Sequence, residues 1–401
     1  MRIYSASSEE TLRARKFLAD WLGEGLLSKE QHERLEQETT AELRVTNIFL
    51  RLVLFLFTLI GVGAACGLFF VGSRPSDQTV GILLLVFAGV CYAAAEVAVS
   101  QGRLYRYGIE EALAVCSVGF LCGGMQAAFF SGPYSPGLNR AESLVPAAGA
   151  VFSLWIWRRF GFAYAFLGAM IFAIFVPGYW TTSPAAEHVI VVVIYAAGLI
   201  GVMAARSGHR FDYLDEGYSL VEAFLWLGTY LAINLQLSTL SMFTQWRGLG
   251  AGREASEFGK VFYWTTWALI WCLPPVVLAR GIREKDRFVM AVGAVVATLT
   301  FVSNKPYLGW QRHTWDPMLL GILLTGVALF LRRWLARGAG GVRHGFTAAR
   351  VSGKDKQWIN AGSAVLGLVS PQAITPSPQA STSDFKFGGG TSGGGGASSE
   401  F

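Results

Sequence analysis

Charge is what this chain lacks. Only 15% of its 401 residues are Asp, Glu, Lys or Arg, against about 25% in soluble domains. Between residues 48 and 334 those charges retreat to short loops and to the ends of apolar stretches, which excludes a water-soluble globular fold. Cysteine is scarce too. Cys66, Cys91, Cys116, Cys122 and Cys272 all lie inside apolar stretches, with no CxxC and no Cys/His ligand spacing, so each reads as a small hydrophobe. All five histidines (His32, His188, His209, His313, His344) are read as outside the spans, His188 at the very edge of one. That reading leaves no intramembrane histidine metal site, and no cofactor is expected. No GxSxG elbow and no HExxH occurs, so the common hydrolase and zinc-protease motifs are missing. No charge falls near the middle of any apolar stretch, where an ion-coupled transporter usually keeps one. Alternation of period two, the mark of a membrane barrel, is absent.

What is present is a series of continuous apolar runs: 52–72, 78–100, 107–130, 143–157, 160–177, 186–205, 218–240, 261–279, 287–303 and 316–334. A bilayer core about 30 Å thick needs about 20 apolar residues per helix. The runs therefore predict an all-α integral membrane protein of about ten transmembrane helices. The fourth is short, and only Arg158 and Arg159 separate it from the fifth, so two helices and one bent re-entrant unit both fit. Of the 33 Lys and Arg, 26 fall on one side of this topology. That is the positive-inside asymmetry; it accounts for the net charge of +6 without nucleic acid. It also predicts both termini in the cytoplasm. With the first apolar run starting near residue 48 behind a charged stretch, no signal peptide is visible, and the first span is expected to be an uncleaved anchor.

Four segments follow. Residues 1–47 read as a cytoplasmic amphipathic helical module, 48–334 as the transmembrane bundle, 335–370 as a basic juxtamembrane segment and 371–401 as a disordered Pro/Ser/Gly-rich tail. Inside the module, Ala14, Phe17, Leu18, Trp21 and Leu22 share one helical face over 9–24. Ser28-Lys29-Glu30-Gln31 forms a capping box that starts a second helix. With no Gly or Pro between residue 29 and Gly61, that helix is expected to run unbroken into the first span. Phe17, Leu18, Trp21 and Leu22 form a candidate docking face, because so narrow a stripe needs a cover: lipid, the membrane domain or a protein partner.

The run FLADWLGEGLLSKEQHERLEQE (17–38) and the third span, YGIEEALAVCSVGFLCGGMQAAFF (107–130), together resemble bacterial membrane proteins of the DUF2157 type. Glu111, Gly123, Gly124 and Gln126 match that family's third segment. The Asn-Trp pair usual after its first span is replaced here by Gly-Ser-Arg-Pro. The resemblance covers residues 10–130 and implies architecture and a bacterial inner membrane, with no activity attached.

Ionisable groups within spans are costly and mark candidate sites. Glu96, Glu110, Glu111 and Glu222 stand out. Glu96, Glu111 and Glu222 each lie seven residues from a span's middle, roughly 10 Å from the midplane at 1.5 Å per residue. A shared depth predicts one acidic cluster at the mouth of a cytoplasmic cavity, with Arg51, Arg103 and Arg106 at similar height. The competing reading is that these carboxylates cap helix N-termini, where the dipole favours anions. Gln126 and Asn234 would extend the cluster into a polar path through the bundle. Trp264, Trp267 and Trp271 share one face of the eighth span and read as packing rather than as a sugar or cation platform. These features point to a non-enzymatic scaffold, sensor or assembly component in contact with the bilayer. The alternative is a small-molecule secondary transporter with a cytoplasm-facing acidic cavity.

Overall fold

A computed structural model of the chain describes residues 2–23, 25–39, 43–73, 75–130, 140–181, 183–209, 212–237, 259–310, 313–338, 342–344 and 346–347. Residues 348–370 of the juxtamembrane segment and the whole tail expected at 371–401 lie outside these residues, as do Arg74, Arg247, Arg253 and Arg312. The described elements are helices, apart from two short 3₁₀ turns and a two-residue hairpin of β1 (Val342–Arg343) and β2 (Phe346–Thr347). The helices run α1 (Ala6–Gly23), α2 (Lys29–Glu38), α3 (Ile48–Ser73), α4 (Asp77–Ser100), α5 (Ile109–Phe129), α6 (Leu144–Phe160) and α7 (Ala163–Phe175). After them come α8 (Pro184–Ser207), α9 (Asp215–Ile233), α10 (Lys260–Glu284), α11 (Arg287–Tyr307) and α12 (Asp316–Ala336).

Seven of these, α3, α4, α5, α8, α10, α11 and α12, are long and apolar enough to cross a membrane. The other three of the ten sequence segments are not. α6 and α7 have 17 and 13 residues, and α9 opens on Asp215-Glu216 and keeps Glu222 in its body. α6 and α7 form an antiparallel pair of short helices, a shape that both two spans and one re-entrant unit would take. Gly161 turns the chain with φ +76°, Gly149 faces Phe172, and Gly168 faces Ser153. The same arrangement recurs in α4–α5, α8–α9 and α10–α11, each a hairpin packed along its length. A Cβ added to Gly81 would sit 2.2 Å from the Ala128 backbone nitrogen, so α4 and α5 touch backbone to backbone. Such small-residue contacts matter here because lipid gives helices little hydrophobic reason to associate. All four hairpin turns lie at one end of the bundle, called here the turn end.

Two compact units divide the chain at residue 328, within α12: Met1–Ala328 and Leu329–Phe401. In the second, the Arg343 guanidinium lies 4.4 Å from the Trp334 ring centre. In the first, α3 buries only Cys66. Its leucines and phenylalanines face outward, as expected of a helix wrapped by lipid. The largest apolar cluster joins α7, α8, α9, α10 and α11, with Val221, Leu225, Val277 and Val289 essentially inaccessible.

The N-terminal module departs from expectation at one point. α2 does not continue into α3. It ends at Glu38, and the chain then pairs with the α4–α5 turn: the Arg44 amide donates to the Arg103 carbonyl (2.8 Å), and the Tyr105 amide to the Arg44 carbonyl (3.0 Å). Asn47 then restarts the helix by accepting from the Leu50 amide at 2.7 Å. The module docks on the bundle, one of the three covers expected for it. Ile3 donates its amide to the Arg159 carbonyl (2.9 Å), and the buried Tyr4 hydroxyl donates to the Leu104 carbonyl (3.1 Å). The capping box forms as read, with Ser28 and Gln31 exchanging bonds of 3.2 and 3.0 Å. α1 closes in a Schellman pattern, Leu26 N–H to Trp21 and Gly25 N–H to Leu22, with Gly25 at φ +73°.

Candidate functional site

The charged residues of the bundle gather at the turn end, where helix termini present their dipoles. Arg206, in the last turn of α8, is the hub of one network. It reaches Asp215 (2.9 Å), Glu222 (2.8 Å) and Asp286 (2.6 Å). Arg280 of α10 takes the other oxygen of Glu222 at 3.2 Å and bonds Glu284 at 2.8 Å. Both placements follow dipole logic: cations end α8 and α10, and carboxylates open α9. Asp286 caps α11 by accepting from the Phe288 and Val289 amides and also accepts from the Ser219 hydroxyl at 2.6 Å. Burial alone would raise the Asp286 carboxyl; Ser219 and Arg206 outweigh it and hold it below its ordinary value.

A second set of pairs ties α3 to α6. Arg51 of α3 clamps both oxygens of Glu111, Nε to Oε2 at 2.7 Å and Nη2 to Oε1. Glu96 of α4 accepts from Arg159 of α6 at 2.7 and 3.0 Å and from the Tyr92 hydroxyl at 2.9 Å. Trp155 in turn donates to Tyr92 (2.9 Å). Glu110 is fully buried; one oxygen accepts from the Tyr107 amide at 2.6 Å, as a helix cap, and its other oxygen has no partner. The buried Tyr164 hydroxyl is likewise unpartnered.

The six polar candidates therefore do not form one cluster. Glu96, Glu110 and Glu111 belong to the α3–α6 pairs, and Glu222 belongs to the Arg206 network. Gln126 is exposed, near the opposite end of α5. Asn234 lies at the C-terminal end of α9, twelve residues and about 18 Å of helix from Glu222. Of the three arginines expected beside the acids, Arg51 pairs with Glu111, whereas Arg106 stacks over Tyr105 at 5.5 Å.

Asn234 instead anchors a second polar layer, uncharged, at the far end of α9, α10 and α11. Its amide donates to the Tyr230 hydroxyl (3.0 Å) and to Ser303 Oγ (2.9 Å), and its carbonyl accepts from the Gln236 amide (3.1 Å). Tyr230 meets Thr300 at 3.0 Å, and the Tyr307 hydroxyl accepts from the Leu235 amide at 2.8 Å. Trp267 and Trp271 both donate to Asn304 Oδ1, at 3.0 and 3.3 Å, while the half-exposed Trp264 packs edge-on against Trp267. Trp267 and Trp271 thus join α10 to α11. His188 corrects the sequence reading: it lies inside α8, buried, with Nδ1 3.3 Å from the Ala232 carbonyl. No group of three metal-ligating side chains occurs among the described residues.

Between the layers the interior is apolar. Leu199, Val202, Leu225, Val277 and Val289 fill it, the Thr229 hydroxyl is returned to its own helix at Leu225, and among the described residues the one unpartnered polar atom there is the buried Trp226 indole N–H. Sequence reasoning missed Arg206, Arg280 and Asp286. Their local signals are present: a basic last turn on α8, Arg280 and Glu284 at i,i+4, and Asp286 placed as an N-cap.

The docking-face residues are split. Leu18 is buried and Leu22 partly so, whereas Phe17 and Trp21 stack with ring centres 6.3 Å apart and stand 43% and 45% exposed. α1 is held down by Lys16–Glu216 (3.0 Å) and by Glu9, which pairs with Arg2 at 2.8 Å and accepts from the Tyr105 hydroxyl at 3.2 Å. Burial raises the Glu9 carboxyl above its ordinary value, more than Arg2, Tyr105 and Arg106 lower it. Comparison of the chain with family models, with curated proteins and with solved structures returns no match.

Proposed function

We propose that this chain is a bacterial inner-membrane protein that crosses the bilayer ten times with both ends cytoplasmic, and that it serves as a non-enzymatic scaffold, sensor or assembly component. The carrying observation is the apolar interior between two polar layers. A transporter of the alternating-access kind needs polar groups near the midplane, and here Glu222 and Tyr230 are separated by eight residues, about 12 Å of helix, of mostly apolar packing. Ten crossings are supported by the hairpin turns, which gather at one end, and by the excess of Lys and Arg in the loops assigned to that side. The resemblance of residues 17–38 and 107–130 to DUF2157-type proteins is part of this proposal. The exposed Phe17–Trp21 pair on the docked α1 is the surface through which the module would meet a protein partner.

The test is purification of the full chain from native membranes in mild detergent, beside Phe17→Ser/Trp21→Ser. A stoichiometric partner present with the first and lost with the second supports the proposal; no partner with either counts against it. The transporter reading keeps one favourable observation, the unpartnered oxygens of Glu110 and Tyr164. Solute flux in proteoliposomes abolished by Glu110→Gln would put transport in place of the scaffold.

A further inference from the structure

At the turn end, four segments enclose a cavity of about 360 Å³. They are the N-terminal stretch with α1, the α4–α5 turn, the α6–α7 turn and the α8–α9 connection. Its volume falls within the range of small-molecule sites, about 300–1,000 Å³. Three guanidinium side chains line it, from Arg2, Arg106 and Arg158, against one carboxylate, Glu9. Arg2 and Glu9 neutralise each other at 2.8 Å. Arg106 and Arg158 have no carboxylate within ion-pair distance. Glu9 and Glu216 act on Arg106 only at longer range, so the three guanidinium groups outnumber the one lining carboxylate by two.

The backbone is shaped to put them there. Arg106 adopts a left-handed conformation, φ +49°, which is sterically strained for a residue with a Cβ. Gly161, φ +76°, makes room for the Arg2 guanidinium: a Cβ there would lie 2.2 Å from Arg2 Nη2. The walls are aromatic. Arg2 stacks over Tyr213 at 5.5 Å, Arg106 over Tyr105 at 5.5 Å, and Tyr218 meets the neighbouring Trp157 edge-on at 6.0 Å.

We propose that this cavity binds a phosphate monoester. Such a group carries about −1.5 to −2 charge at neutral pH, matching the cationic excess of the lining, and the planar guanidinium fork suits its oxygens. Two sources present that chemistry: the terminal phosphate of phosphatidic acid in the bilayer and a soluble phosphate monoester with a flat ring. The site is independent of any partner at Phe17 and Trp21. A ligand in it would link residues 2–9 to the hairpin turns and so couple the module to the bundle.

The test uses the full chain in phosphatidylcholine nanodiscs. One arm titrates phenyl phosphate and follows thermal unfolding and binding heat. The other compares nanodiscs with and without phosphatidic acid. Stabilisation by phenyl phosphate identifies a soluble ligand, and stabilisation by phosphatidic acid alone identifies a lipid headgroup. In either case Arg106→Gln/Arg158→Gln should weaken binding by roughly tenfold or more, in line with two charge-assisted contacts, while Arg34→Gln on exposed α2 leaves it unchanged. Should the double variant aggregate, Arg158→Gln alone gives the same reading, since Arg158 is exposed and makes no ion pair. No response to either probe, or equal binding by the arginine variants, overturns the proposal.

Discussion

The two polar layers tie the same helices with opposite chemistry. The turn end uses ions: one arginine, Arg206, holds three carboxylates drawn from α9 and the start of α11. The far end uses neutral groups, with Asn234, Tyr230, Ser303 and Thr300 bonded around a fully buried amide. The difference follows from what each chemistry costs in a membrane. Charges are tolerated where helix dipoles and nearby loops offset them. Hydroxyls and amides can be buried on protein contacts alone once each finds a partner. The turn end also gathers the cationic cavity and the docked α1, while the far end holds no comparable charge cluster among the described residues.

The comparison predicts unequal costs. Arg206→Ala should be the most damaging change, about 3–5 kcal/mol, because it removes the cation that Glu222 and Asp286 share and leaves Glu222 to Arg280 alone; denaturation in detergent measures it. A smaller loss, about 1–3 kcal/mol, is expected for Asn234→Ala, which leaves the Ser303 hydroxyl and the Gln236 amide short of a partner. If Asn234→Ala proved the costlier of the two, the ranking of ionic over neutral layer would be wrong. Glu111→Gln should cost less again, about 1 kcal/mol, since Arg51 is part exposed and keeps access to solvent. The smallest effect concerns pH. The Glu9 carboxyl is raised above its ordinary 4.5 in the folded chain. Its contribution to stability is thus full below about that value and fades as pH rises through the folded value. Unfolding temperature should therefore climb slightly from pH 7 towards pH 5, and Glu9→Gln should flatten that slope. An unchanged slope in the variant would assign the dependence to another group.

Much of the local structure was legible in the residues. The capping box at Ser28, the end of α1 near Gly23 and Gly25, and the positions of the apolar helices follow from short-range periodicity and backbone chemistry. The break between α2 and α3 was not legible. It depends on Arg44 pairing with the turn at Arg103–Tyr105, some sixty residues away. Depth along a helix was readable for Glu96, Glu111 and Glu222, but direction around the axis was not, so three carboxylates at one height were read as one cluster. The fold turns Glu222 towards Arg206 and Arg280, and Glu96 and Glu111 towards Arg159 and Arg51. Gln126, read as part of a polar path, faces outward.

Hydrophobic run length and capping act over a few residues, so the residues alone carry the apolar character of the helices and several of their ends. The partners came from the packing. It chose which arginine neutralises which acid, that Asn234 belongs to a neutral far layer, and that Arg2, Arg106 and Arg158 meet around one cavity. Those choices depend on how each hairpin is rotated and packed against the next, and that rotation is fixed by contacts between residues far apart in the chain.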